Sequence, residues 1–204
     1  MLEKNEQDWK KPEEYLVYGI TYAIVAKGVK EYHWLPQTNP PDAEKLYSKS
    51  FSLIRKSIEI GATANFKETA CLYLSGVHRQ KDDYEGQYKS IELTASVSES
   101  AVRKSFYYYY IASQMMTHVR KEKLREEDRR LKERARGYFE TSLKAYPYNY
   151  ETLIYISNNC EAAWEKKAYY DKARRALANY EVDSKRDNVN RVSMLLKKFD
   201  PYYR

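Results

Sequence analysis

The sequence predicts an all-α protein, and three observations carry that prediction. Glycine and proline number only 6 each in 204 residues, and they are the residues that the tight turns of an all-β chain demand. Strong helix formers (Ala, Leu, Glu, Lys and Arg) are abundant. Apolar residues recur at the spacing of a helix with one buried face. With 43% hydrophobic residues the chain is not a disordered one. Its length suits one domain with a real core, or an elongated array of helix pairs. Residues 1–204 are therefore read as a single all-helical domain. It has an N-terminal helix pair over 12–60 with a Pro-rich connection, further helix pairs over 65–181 and a C-terminal capping helix over 188–204.

The first helix is expected over 12–30. Pro12 suits a first turn, and Glu13 and Glu14 complement the positive end of the helix dipole. Leu16, Ile20 and Ala23 follow at helical spacing, with Val17, Ile24 and Val25 widening the stripe. Pro36, Pro40 and Pro41 then break regular structure, and Asp42 is the N-cap of the next helix. That helix, 43–60, turns Leu46, Leu53, Ile54 and Ile58 to one side and stops at Gly61. A third helix over 65–81 points Ala70, Leu74 and Val77 inward, and "KDDYEG" turns the chain into a fourth over 84–97. Serines in "SVSES" cap a fifth helix that carries "FYYYYIASQMM". Tyrosines also favour strands, but helix formers flank this run, and Phe106, Tyr109, Tyr110 and Ser113 share a helical face. A helix that is apolar nearly all round is a buried one, so this helix is expected at the centre.

Residues 119–136 are almost wholly charged, pairing Glu122 with Arg125, Glu126 with Arg130 and Asp128 with Lys132 at helical spacing. Leu124 and Leu131 give only a narrow apolar seam, and the mixed signs read as a solvated face. Helices over 129–146, 150–166 and 168–181 follow, and a last one near 188–199 carries Val189, Val192, Leu195 and Leu196 before Pro201.

The spacing of Ala135, Phe139, Ser142 and Pro147 is that of the second helix of a tetratricopeptide repeat, and "SLKAYPYN" resembles the close of such a repeat. Small residues let two helices approach, the aromatic fills the gap between neighbouring repeats, and proline ends the helix. Ala168, Tyr170, Ala173 and Leu177 resemble the turn and second helix of the next unit, though its first helix is about a turn too long. Looser likeness extends over 65–181, with Gln87 standing where a small residue belongs. The resemblance implies a tetratricopeptide-like α-solenoid, or a compact helical-repeat domain, whose concave face is lined by first helices. On that register the groove carries Arg79, Tyr109, Ser113, Met116, Asn158 and Glu161, and Asn158 or Asn159 is placed to bond a ligand backbone. The Lys, Arg and Asn set that clamps a C-terminal carboxylate in some members of the family is not assembled here.

Chemistry is poorly served by the sequence. It has no phosphate-binding glycine loop, no dinucleotide fingerprint and no nucleophile elbow. His33, His78 and His118 show no metal-ligand spacing, and no cofactor or metal is expected. Cys71 and Cys160 read as buried, reduced thiols of a cytoplasmic protein. The longest apolar stretch, residues 15–26, is too short for a membrane span, and the polar, charged start is not a signal peptide.

The expectation is thus a non-enzymatic scaffold, adaptor or assembly subunit that binds a peptide or protein segment. The formal charge of +7 favours an acidic partner. The alternative is nucleic-acid binding, because 22 tyrosines and the basic stretches "VRKEKLREEDRRLKERARGY" and "KKAYYDKARR" suit phosphates and stacked bases.

Overall fold

The computed structural model describes residues 11–32, 42–119 and 126–199. The Pro-rich connection, His33, Leu124, the Glu122–Arg125 pair and Pro201 lie outside the described residues. The fold is all-α, built from antiparallel helix pairs: α1 (Pro12–Tyr32) with α2 (Ala43–Ile60), α3 (Ala64–Gln80) with α4 (Tyr84–Val97), α5 (Ala101–His118) with α6 (Glu126–Ala145), and α7 (Tyr150–Asn159) with α8 (Ala163–Arg186). Helix α9 (Val189–Phe199) follows and packs on α8 and α5. Where the sequence reading takes 1–204 as one domain, the chain divides into two compact units, Met1–Val97 and Ser98–Arg204. The division falls where α4 ends and Ser100 caps α5, and each unit has its own apolar cluster.

In the first unit, Asp42 caps α2 through Glu44 N–H at 2.9 Å, and Thr63 caps α3 through Phe66 N–H at 3.2 Å. Leu16, Ala23 and Ala26 of α1, Tyr47 and Ile54 of α2, and Ala70, Leu74 and Val77 of α3 form its core. Helix α1 lies close on α2 because Gly19 lacks a side chain. A Cβ there would come within 3.2 Å of the backbone at Ser50 and Ile54, and Ser50 Oγ donates to the Gly19 carbonyl at 2.7 Å. Val17 and Ile24 do not widen the buried stripe of α1 as expected. They stand more than half exposed, on the side of α1 turned away from α2 and α3.

In the second unit, α5 is central as its composition predicts. Phe106, Tyr107, Tyr110, Ile111, Ala112 and Met115 are buried, and α5 packs on α6, α8 and α9. Its N-cap Ser100 accepts from Arg103 N–H, and the same hydroxyl donates to Asp187 Oδ2 between α8 and α9. Tyr146 donates to Asp183 of α8 at 2.5 Å, tying the α6–α7 turn to the same region.

The boundary between α7 and α8 differs from the expected one. Helix α7 ends at Asn159, Cys160 is extended, and α8 begins at Ala163. No proline or glycine marks this break, and Ser157 Oγ bridges it to the Lys166 carbonyl at 2.9 Å. The first helix of this pair is therefore short, and the turn lies at 160–162. Cys160 is accordingly a half-buried residue at the end of α7, while Cys71 is buried in α3.

Candidate partner-binding face

The α5–α6–α7 seam is built from small polar side chains. Ser105, Ser142, Asn149 and Thr152 are all fully buried. Ser142 donates to the Ser105 carbonyl at 2.8 Å, and the two hydroxyls meet at 2.9 Å. Thr152 and Ser142 hydroxyls lie 2.8 Å apart. Asn149 gives one amide hydrogen to Ser105 Oγ at 2.7 Å, while its carbonyl oxygen caps α7 by accepting from Thr152 N–H at 3.0 Å. A consistent proton arrangement follows: Ser142 donates to the carbonyl, Ser105 and Thr152 donate to Ser142 Oγ, and Asn149 donates to Ser105 Oγ. Every buried polar group of the cluster then has a partner, the condition under which such a network rigidifies a core. Ala135, also fully buried, keeps the α6 surface low two turns before Ser142.

Aromatic rings extend the seam to the surface. Phe139 of α6 stacks on Tyr155 of α7 with centroids 4.5 Å apart. Tyr109 of α5 meets Phe139 at 6.3 Å and Tyr155 at 6.4 Å. Tyr109 and Tyr155 are each half-buried, so α5 and α7, the first helices of successive pairs, meet through rings that are still partly open to solvent. Burial pushes the Tyr109 phenol up, and the Glu151 carboxylate adds to the effect; burial alone raises that of Tyr155. Both phenols stay protonated at neutral pH and can donate to a bound acceptor.

Ser113 and Met116 continue the Tyr109 stripe along α5, both half-buried, and Ser113 Oγ donates to the Tyr110 carbonyl at 2.9 Å. Asn158 lies one turn beyond Tyr155 on α7 and is exposed; Glu161 is exposed in the following turn. Asn159 Nδ2 donates to the Tyr155 carbonyl at 2.8 Å, which leaves Asn158 as the outward amide. Arg79 belongs to α3 in the first unit, where its guanidinium sits 4.7 Å from the centre of the Tyr84 ring. The structure thus places Tyr109, Ser113 and Met116 on one stripe, with Asn158 on the helix that Tyr109 touches.

Of the expected packing positions, Ala135, Phe139, Ser142 and Ala173 are buried, Leu177 is half-buried, and Pro147 is exposed in the α6–α7 turn. Ala168 and Tyr170 are exposed on α8, away from the packing role assigned to them. With α8 starting at Ala163, Ala168 is five residues before the buried Ala173, roughly 140° round the helix. The α7–α8 contact is made instead by Leu153, Ala173 and Ala176. Tyr155, Glu151 and the polar seam were missed by sequence reasoning. Tyr155 was within reach, one helical turn before Asn158.

The first unit holds an open cavity of about 610 Å³, lined by Ile58, Leu74, His78, Asp83, Gly86 and Leu93 among others. His78 Nδ1 lies 2.7 Å from Asp83 Oδ2, and Phe51 packs on the imidazole at 4.4 Å. Burial lowers the His78 pKa, outweighing the Asp83 carboxylate that raises it. Burial raises that of Asp83, but the Gly86 N–H and the His78 ring together bring it below the usual carboxylate range. A Cβ on Gly86 would collide with the His78 ring, so glycine there makes room for the pair. The pair braces the α3–α4 turn, where Asp82 takes φ 58°. Among the described residues no group of three His, Cys, Asp or Glu is placed to hold a metal, and no helix is long and apolar enough to cross a membrane.

Comparisons with protein-family models, with curated proteins and with solved structures find no match.

Proposed function

We propose that the chain is a non-enzymatic protein-interaction module, a scaffold, adaptor or assembly subunit, that seats an extended peptide or protein segment along α5 and α7. The observation that carries the reading is the Tyr109–Tyr155 contact. It sets the first helices of two successive pairs side by side while their rings remain half open. A segment laid there meets large aromatic area of the kind enriched at protein interfaces, two phenol donors, the Met116 thioether, and the Asn158 amide for its backbone. The resemblance of α6 to a tetratricopeptide second helix points the same way, because such repeats use the first-helix face. The formal charge of +7 favours an acidic segment. Two free thiols, Cys71 and Cys160, fit work in the cytoplasm.

Selection of a displayed random-peptide library against the whole chain tests the reading. Enriched peptides should bind the native chain and lose about tenfold or more in affinity to Ser113→Arg, which fills the stripe, with helical content unchanged. Failure to enrich any peptide, or equal binding by the variant, would reject it.

A further inference from the structure

The stretch "KKAYYDKARR" is not used by the face on α5 and α7, and the structure shows what it presents. Helix α8 buries Ala173, Ala176 and Tyr180. On its outward side Trp164 is 76% and Tyr170 50% exposed, and Lys167 and Arg174 are exposed between and beside them. These four residues follow one another at three- or four-residue steps, so each is a surface neighbour of the next. The result is a ladder of ring, cation, ring, cation over about 15 Å of helix. Among the described residues none of the four makes an ion pair, a hydrogen bond or a ring contact. Elsewhere on exposed helix faces cations do find carboxylates: Arg130 with Glu126 at 3.4 Å, Arg136 with Glu140 at 3.5 Å, and Arg186 with Asp183 at 3.1 Å. Glu165 and Asp171 are half-buried on the same helix; Asp171 stands one turn from both Lys167 and Arg174 without pairing either, and Arg175 turns its Nε to the Asp171 carbonyl at 3.2 Å.

We infer that this side of α8 is a binding site for single-stranded nucleic acid. Two exposed cations, Lys167 and Arg174, answer a polyphosphate backbone. Two open rings that alternate with them offer what an acidic peptide does not need, flat surfaces for bases, and every base has a face to stack on. Such a site takes its strand without reading sequence: Lys167 and Arg174 hold phosphates, Trp164 and Tyr170 stack bases. The inference rests on α8 alone and stands apart from the peptide reading of α5 and α7.

The test is fluorescence anisotropy of a labelled thymidine oligonucleotide with the whole chain across a salt series. The native chain should bind at low salt and weaken steadily as salt rises. The double variant K167A/R174A should reduce the log–log salt slope by about 1.4, the share of two phosphate contacts on a single strand. Trp164→Ala should weaken binding about tenfold with the slope unchanged, because a ring stacks but releases no counterion. All these side chains are exposed, so thermal midpoints should match the native one. No binding at low salt, an unaltered slope in the double variant, or full affinity in Trp164→Ala overturns the proposal. So does equal displacement of the oligonucleotide by oligoglutamate of the same charge, which would make the surface a site for acidic peptide.

Discussion

Two seams in this molecule bring helices into close contact by opposite means. Between α1 and α2 the side chain is removed: Gly19 leaves room for the α2 backbone, and one hydroxyl, Ser50, bonds its carbonyl. Between α5, α6 and α7 side chains are kept small but polar, and four buried ones bond one another. The first seam depends on shape, and any added atom strains it. The second depends on a closed set of hydrogen bonds, and any removed atom strands its partners. The second seam also carries the aromatic rings that reach the surface, so the stability of the second unit and the proposed binding face share residues.

The largest effect is expected at that shared point. Phe139→Ala should cost about 3–5 kcal/mol in urea unfolding, with hydrogen exchange assigning the loss to the second unit. It should also loosen Tyr155, its stacking partner at 4.5 Å. Asn149→Ala should cost about 2–3 kcal/mol, combining a lost N-cap with a stranded Ser105 hydroxyl. Asn149→Ser sharpens the point, because it restores the cap without the amide bridge and should recover about half. If the serine variant recovers everything, the α7 cap matters and the network does not.

The shape-dependent seam should respond to Gly19→Ala, which sets a methyl against Ile54 and the α2 backbone. The expected loss is about 1–3 kcal/mol. Gly137 of α6 is the control, since a Cβ there meets nothing within 4 Å. Gly137→Ala should stabilise by about 0.5–1 kcal/mol through helix propensity alone. The smallest effect is a pH dependence in the first unit. The folded pKa of His78 is lowered, so its stabilising contribution is complete above the unfolded value, about 6.5, and is lost as pH falls toward the folded one. The lowered pKa of Asp83 adds a further loss below the ordinary carboxylate range. Native protein should therefore lose more stability than His78→Gln between pH 7 and pH 5.

The same contrast explains how much could be read in advance. Asp42, Gly61 and the "KDDYEG" turn announce the start and end of α2 and the break between α3 and α4, because caps and left-handed turns are local chemistry, whereas the Thr63 cap of α3 went unread. The burial of Ala135, Phe139 and Ser142 also followed from spacing. The end of α7 was hidden, because Cys160, Glu161 and Ala162 carry no breaker and the stop depends on packing against α8. The polar seam was hidden for a related reason. Ser105, Asn149 and Thr152 belong to types usually found at surfaces and caps, and only their meeting in space shows that they satisfy one another. Val17 and Ile24 were misjudged because a helix apolar on every side does not say which side its neighbours cover.

Hydrogen–deuterium exchange of the whole chain, with and without a saturating library-selected peptide, tests the central claim most directly. The account predicts slowed exchange in the last two turns of α5, around Ser113 and Met116, and in α7 from Glu151 to Asn158, with α2 and α3 unchanged. Protection confined to α1–α4, or spread evenly over both units, would contradict it.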